Sequence, residues 1–157
     1  METKIKSTLV IVNEEDVEAR PSTRHQGMTT KRLIGVGTPH PTERLYSVIA
    51  GYTAGAEEKL HWHLCEHAYY ILEGNGALKD IEGNHINLRP GTLIYCPAGI
   101  GGSHAWRSET KMRLMSLGVW NDTVQIPQFD VDEKTGVSSL EPRYLIDAGL
   151  LKFKSKP

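Results

Sequence analysis

The densest chemistry in the chain lies in seven residues, His61-Trp62-His63-Leu64-Cys65-Glu66-His67, which hold three of its seven histidines. Imidazole is the commonest side-chain metal ligand. On a helix, His61 and His63 would lie about 200° apart, whereas alternate residues of a strand share a face. Tyr69-Tyr70-Ile71-Leu72 follows, a run of strand formers that ends in Glu73-Gly74-Asn75-Gly76. A metalloprotease helix needs Glu directly after its first histidine, and here Leu64 follows His63. The strand reading therefore stands. His61 and His63 end one strand, a tight turn follows, and His67 opens the next. His104, beyond a Pro97-Ala98-Gly99 turn, must come from a third strand. Cys65 is a possible soft ligand, although its side chain should face away from the histidines on an extended segment.

Short strands separated by turns must position these residues. Leu9-Val10-Ile11-Val12 reads as a first strand and Asn13 to Thr30 as loop. Lys31–Val36 and Leu45–Tyr52 come next, and then Lys59–His63, His67–Leu72, Ala77–Ile81, Thr92–Cys96, His104–Arg107 and Met112–Trp120. Glycine turns such as Glu82-Gly83-Asn84 and Pro90-Gly91 punctuate them. Regular short strands with such turns argue for an all-β sandwich or small barrel. Gln128 to Ser139 is polar and reads as loop, and Leu140–Phe153 as a short helix or an extended arm. The organisation expected is an N-terminal strand and loop over 1–30, a barrel over 31–120, and an irregular C-terminal tail over 121–157 packing on the barrel or on a partner. His25, His40 and His85 fall in expected loops and read as ordinary exposed residues.

Gly55-x5-His61-x-His63-x3-His67-x6-Gly74 resembles the first cupin motif, and Gly91-x5-Pro97-x-Gly99 followed by His104 resembles the second. The resemblance covers residues 55–108 and, with flanking strands, about 31–120. It implies a double-stranded β-helix, or jelly-roll, with one divalent transition metal (Fe, Mn, Zn, Ni or Cu) held inside by His61, His63, His67 and His104. Three departures stand out. The common pattern has Glu where His67 stands, and adjacent Glu66 is a candidate substitute of the wrong strand parity. Ile100-Gly101-Gly102-Ser103 lengthens the turn of the second motif, which makes it a flexible candidate for the pocket mouth. The final Asn of that motif is Ser108 here. The all-histidine set resembles a smaller group of single-domain cupins, among them manganese proteins with oxidative activity and a zinc-dependent polyketide cyclase. Four neutral imidazoles leave the charge of a divalent ion uncompensated, so the ion should be a strong Lewis acid that resists oxidation.

Parity carries Tyr69 and Ile71 inward with His67, and Trp106 inward with His104, so Tyr69, Ile71 and Trp106 are the expected substrate-pocket residues. Acid–base candidates are scarce, with Tyr69 and Glu66 as the catalytic pair at hand. The leading expectation is a metal-dependent, dioxygenase-like oxidoreductase acting on a small organic substrate. The alternatives are a non-oxidative cyclase, isomerase or lyase acting on a carbonyl or enol, and a small-molecule-binding cupin.

Bulk properties bound these readings. The 157 residues suffice for a single domain with its own core, and 39% hydrophobic with 24% charged residues is ordinary for a globular chain. A formal charge of −1 argues against nucleic acid or an anionic membrane as partner. Residues 1–6 lack the apolar stretch of a signal peptide, which points to the cytoplasm. Cys65 and Cys96 read as reduced thiols. The family resemblance implies a homodimer paired through sheet edges.

Overall fold

The structure is a computed structural model that describes residues 7–42, 44–119 and 128–140. Eleven strands form among them: β1 (Arg20–Pro21), β2 (Met28–Ile34), β3 (Leu45–Tyr52), β4 (Glu57–Trp62), β5 (His67–Glu73), β6 (Gly76–Asp80), β7 (His85–Leu88), β8 (Leu93–Cys96), β9 (His104–Ser108), β10 (Met112–Val119) and β11 (Phe129–Asp130). They make two antiparallel sheets, ordered β1-β2-β3-β10-β5-β8 and β11-β4-β9-β6-β7. Consecutive strands such as β4 and β5 lie in different sheets, so the inward faces of both enclose one interior. This is the all-β architecture expected from the turn spacing, and the jelly roll that the family resemblance implies.

Side-chain size along β10 divides that interior in two. Register places Leu114 between Ala50 and Ile71, Ser116 between Val48 and Tyr69, and Gly118 between Tyr46 and His67. At the Leu114 level, Ile71, Leu114 and Met112 are fully buried and pack with Ala50, Leu78, Leu88 and Trp106. Burying such side chains contributes roughly 1.5–3 kcal/mol each. Towards the other end β10 offers only Ser116 and then Gly118. A Cβ on Gly118 would lie 2.5 Å from the Tyr46 ring, so that aromatic side chain uses the space a larger residue would fill. The plugged end supports the barrel, and the open end holds a cavity.

Four segments depart from expectation. Leu9–Val12 forms no strand: Leu9, Val10 and Ile11 are exposed and the run finds no sheet edge, so the N-terminal strands are β1 and β2. The stretch read as loop over 13–30 accordingly holds a short 3₁₀ turn (Glu14–Asp16), β1 and the start of β2. His85–Leu88 pairs with β6, but only Leu88 is buried, so the strand shows little apolar alternation. Within the polar stretch from Gln128, Phe129 pairs with Trp62 and Asp130 with His61. Leu60, Trp62 and Val131 cluster on the outer face of β4, and Trp62 Nε1–H donates to Ser138 Oγ at 2.5 Å. The expectations for residues 141–157 lie outside the described residues. No helix among the described residues is long and apolar enough to cross a membrane.

Gly74, the closing glycine of the first histidine motif, has φ +78°, and a Cβ there would meet the Lys111 carbonyl oxygen at 2.1 Å. Gly83 has φ +86° with nothing within 4 Å of its hypothetical Cβ. Urea denaturation should show Gly74→Ala losing roughly 2–4 kcal/mol, because strain and backbone collision combine. Gly83→Ala should lose about 1 kcal/mol from the left-handed conformation alone. Equal losses would show that the contact with Lys111 is not limiting.

Candidate metal centre

His61 lies at the end of β4, His63 just beyond it, His67 at the start of β5 and His104 at the start of β9. Their rings meet at the open end of the barrel. Centroids are 5.0 Å apart for His61–His63, 4.5 Å for His61–His104 and 4.5 Å for His63–His67. All four are buried. Backbone carbonyls fix three of them: Nδ1–H donates to Lys59 O from His61 at 2.7 Å, to Cys65 O from His67 at 3.2 Å, and to Gly102 O from His104 at 2.9 Å. Such anchoring selects one tautomer and turns Nε2 inward as an acceptor. Nε2 of His67 is buried and has no hydrogen-bond partner among the described residues. Burial lowers the His61 pKa to about 3 and takes those of His67 and His104 below the ordinary imidazole value. These three imidazoles are therefore neutral, the state that ligates a cation. Ligand atoms of His61, His63 and His104 lie within 4.8 Å of one another, as do those of His67, Cys96 and His104. The donor set fits a divalent transition ion, with His104 common to both triads.

A carboxyl group that strand parity hides completes the floor of the site. Glu58 pairs with Trp106 and His61 with His104, so β4 uses three residues where β9 uses two. This β-bulge puts Glu58 on the same inward face as His61, while Lys59 is exposed. Glu58 is 5% exposed. Its Oε1 accepts a 2.7 Å hydrogen bond from Tyr52 OH, and its Oε2 lies 3.7 Å from Nε2 of both His25 and His61. Burial raises the pKa of this carboxyl, while His25, the Tyr52 hydroxyl and Arg24 act in the opposite direction. Gln128 joins the group. Its amide N–H donates to His61 Nε2 at 3.2 Å, and its Oε1 accepts from His25 Nε2 at 3.1 Å. Tyr69 OH donates to His104 Nε2 at 3.2 Å. Above them opens a cavity of about 520 Å³, whose lining includes Tyr46, Tyr52, Glu58, His63, Tyr69 and Gln128.

Residues 48–118 match the family model described as Cupin domain. The barrel is a cupin domain. Three solved cupin-fold structures illustrate its likenesses. The polyketide cyclase RemF from Streptomyces resistomycificus has a TM-score of 0.67 at 21% identity, over 87% of this chain and 96% of that one. The DMSP lyase DddQ from Ruegeria pomeroyi DSS-3 gives 0.58 at 22% identity, over 73% and 60%. Salicylate 1,2-dioxygenase from Pseudoaminobacter salicylatoxidans gives 0.54 at 20% identity, over 63% and 26%. At these identities the likeness is one of fold. No curated protein matches the chain.

Within the cupin barrel, several sequence expectations need correction. Glu66 is exposed and accepts a 2.9 Å hydrogen bond from Tyr95 OH on the outer surface, so it has no part in the pocket. Tyr69 lines the cavity, whereas Ile71 and Trp106 are buried in the apolar plug and do not. Trp106 still packs edge-on against Tyr69, with centroids 4.8 Å apart. His25 is no bystander, because it faces Glu58, His61 and Gln128. His40 is half-buried in a loop, and His85 is exposed but sits on β7. The glycine-rich turn is a 3₁₀ turn (Ile100–Gly102) rather than the pocket mouth. Its last carbonyl orients His104, and a Cβ on Gly102 would lie 2.1 Å from Pro97 O. Ser108, in place of the motif Asn, ties down the β3–β4 turn through Oγ bonds to Thr53 O and Ala56 O.

Metal analysis of purified protein, together with titration of the stripped protein, tests this centre. His104→Ala should weaken metal affinity by more than the roughly 10–100-fold that loss of a supporting partner costs, since His104 belongs to both triads. His67→Glu should keep a metal but shift preference among ions, because a carboxylate replaces an imidazole. Glu66→Gln should leave both affinity and preference unchanged. Wild-type behaviour from His67→Glu would remove His67 from the ligand set.

Proposed function

We propose that this cupin is a metal-dependent enzyme catalysing a non-oxidative cyclisation, isomerisation or elimination at a carbonyl or enol group. The observation that carries this reading is the Glu58 carboxyl, held by Tyr52 at the cavity floor and 3.7 Å from the His61 nitrogen turned to the metal position. A divalent ion, when bound, supplies Lewis-acid polarisation of a substrate oxygen. Glu58 then acts as a general base. Its Oε1 is fixed by Tyr52, which leaves Oε2 to take a proton from the carbon next to the polarised group. The same oxygen returns that proton to the leaving group or to the product oxygen. Tyr69 OH and the Gln128 amide supply donors beside the ligand nitrogens, where substrate oxygen charge develops. The apolar plug below and the buried imidazoles around the floor keep water from competing.

The dioxygenase-like reading rests on the all-histidine donor set and on the apparent scarcity of acid–base groups near it. Glu58 removes that scarcity, and the cupin neighbours include a cyclase and a lyase beside a dioxygenase. Two measurements separate the readings. Turnover of a carbonyl or enol substrate should persist under strict anaerobiosis. Glu58→Gln should lower kcat by roughly 10²–10⁴-fold, the range of general acid–base catalysis, with metal content unchanged. Strict dependence on dioxygen with stoichiometric oxygen uptake would overturn the proposal in favour of oxygenation.

The same proposal has the chain acting as a homodimer in the cytoplasm. The exposed Leu93 and Tyr95 of edge strand β8 offer a face to a second copy, and both cysteines are free thiols.

A further inference from the structure

The cavity has a charge pattern that the catalytic floor does not account for. Its floor carries His63, His25 and Glu58, with the other three candidate ligands packed behind His63, and its wall is largely apolar, with Met28, Ile34, Val48 and Leu114 among the lining residues. Three arginines, Arg20, Arg24 and Arg32, also line it, against a single carboxyl group, Glu58, among the described lining residues. The chain as a whole is slightly acidic, with a formal charge of −1, so this cationic edge is local.

Strand register explains how the arginines come to face the cavity. Arg20 on β1 pairs with Thr30 on β2, and Arg32 lies two residues further along the same face of β2. Arg32 pairs with Val48, Val48 with Ser116, and Ser116 with Tyr69. These four side chains form one row across the sheet, from the cationic edge to the hydroxyl beside His104. The row crosses three inter-strand steps, about 14 Å at ordinary strand spacing. Arg24 is engaged elsewhere. It ion-pairs with Asp130 at 2.7 Å and donates to Gln128 O at 3.1 Å, tying the β1–β2 loop to the segment that carries Gln128. Arg20 and Arg32 are exposed at the rim, and Arg32, like Arg24, already takes part in another interaction. Each guanidinium offers five donors in a planar fork that matches a carboxylate, so one can serve more than one acceptor.

We infer that the substrate is an elongated, mostly apolar molecule with a carboxylate at one end, which Arg20 and Arg32 receive, and an enol or carbonyl oxygen at the other, which reaches the histidine floor. The inference rests on the metal-centre reading above and adds the substrate class to it. The carboxylate sets orientation and the apolar wall holds the body. Length then decides whether the reactive end meets Glu58. A short polar metabolite would satisfy one end of the cavity and leave the other empty.

Equilibrium binding to the metal-loaded protein tests this without turnover. The probes are 6-hydroxy-2-naphthoate and its methyl ester, which share an aryl enol oxygen and differ in the charge at the far end. The acid should bind about tenfold tighter or more, as expected for charge-assisted hydrogen bonds. Raising the ionic strength should shrink the preference, because the rim is exposed. R20Q/R32Q should abolish the preference, and R20K/R32K should keep part of it. Glu58→Gln should leave it intact. A preference that survives R20Q/R32Q would mean that the carboxylate sits on the metal instead, and would overturn the inference. Equal binding of acid and ester, or no binding of either at millimolar concentration, would overturn it as well. Oxygen-dependent turnover would defeat the proposed reaction while leaving this binding result standing.

Discussion

Between Glu58 and His61, strand β4 carries one residue more than the strand it pairs with. The carboxyl group of the site depends on that bulge. Without it, a carboxyl three residues before an inward histidine would face outward. With it, Glu58 and His61 share a face. One irregularity thus delivers a carboxyl group to the cavity beside His61. Ordinary alternation about His61 turns Leu60 and Trp62 outward, where the segment around Val131 covers them. That covering segment carries Gln128 back to His61. The bulge, the base, the ligand and the covering segment form one mechanical unit, which is how bulges behave beside active sites.

Whether such a site stays in place is a matter of packing at the other end of the barrel. Neutral imidazoles and a carboxyl group contribute little cohesion once removed from water, since burial of polar groups costs free energy unless each finds a partner. The cohesion comes from Ile71, Leu78, Leu88, Trp106, Met112 and Leu114. His67 and Ile71 lie on one strand, and His104 and Trp106 on another, so the plug holds the ligands through rigid backbone. The change from Met112 and Leu114 to Ser116 and Gly118 along β10 is the boundary between stability and function in this barrel.

The sequence is most readable where period and spacing agree. The β3 strand and the starts of β5, β9 and β10 follow from apolar runs bounded by glycine and proline, and the four histidines from strand parity joined to two spaced motifs. What stays hidden has a common cause. Parity assumes an unbroken ladder, and the β4 bulge breaks it, so Glu58 is invisible to that reasoning while outward-facing Glu66 is conspicuous among the histidines. Gln128 and His25 sit in polar segments whose approach to β4 is set by tertiary contacts, Trp62 to Ser138 and Arg24 to Asp130, that no local pattern encodes. Leu9–Val12 shows the converse. Its composition suits a strand, but a strand needs a partner edge and a face to bury, and that run has neither.

The placement of Glu58 also changes the electrostatic argument drawn from the histidines. Four neutral ligands suggest a site whose cation keeps its full charge, because the usual carboxylate ligand is replaced by His67. Glu58 restores a carboxyl group near the centre but outside the ligand set, with Oε2 3.7 Å from the His61 nitrogen. A carboxylate ligand would donate to the ion directly and weaken its pull on substrate oxygen. A carboxylate held back by Tyr52 compensates charge through space and keeps its own lone pairs for a proton. In the reaction proposed above, acid strength at a bound ion and base strength at the carboxyl would belong to different groups. With a histidine at position 67 and the carboxyl group at the bulge of residue 58, the proposed reaction can polarise an oxygen at one group and remove a proton at another in the same step.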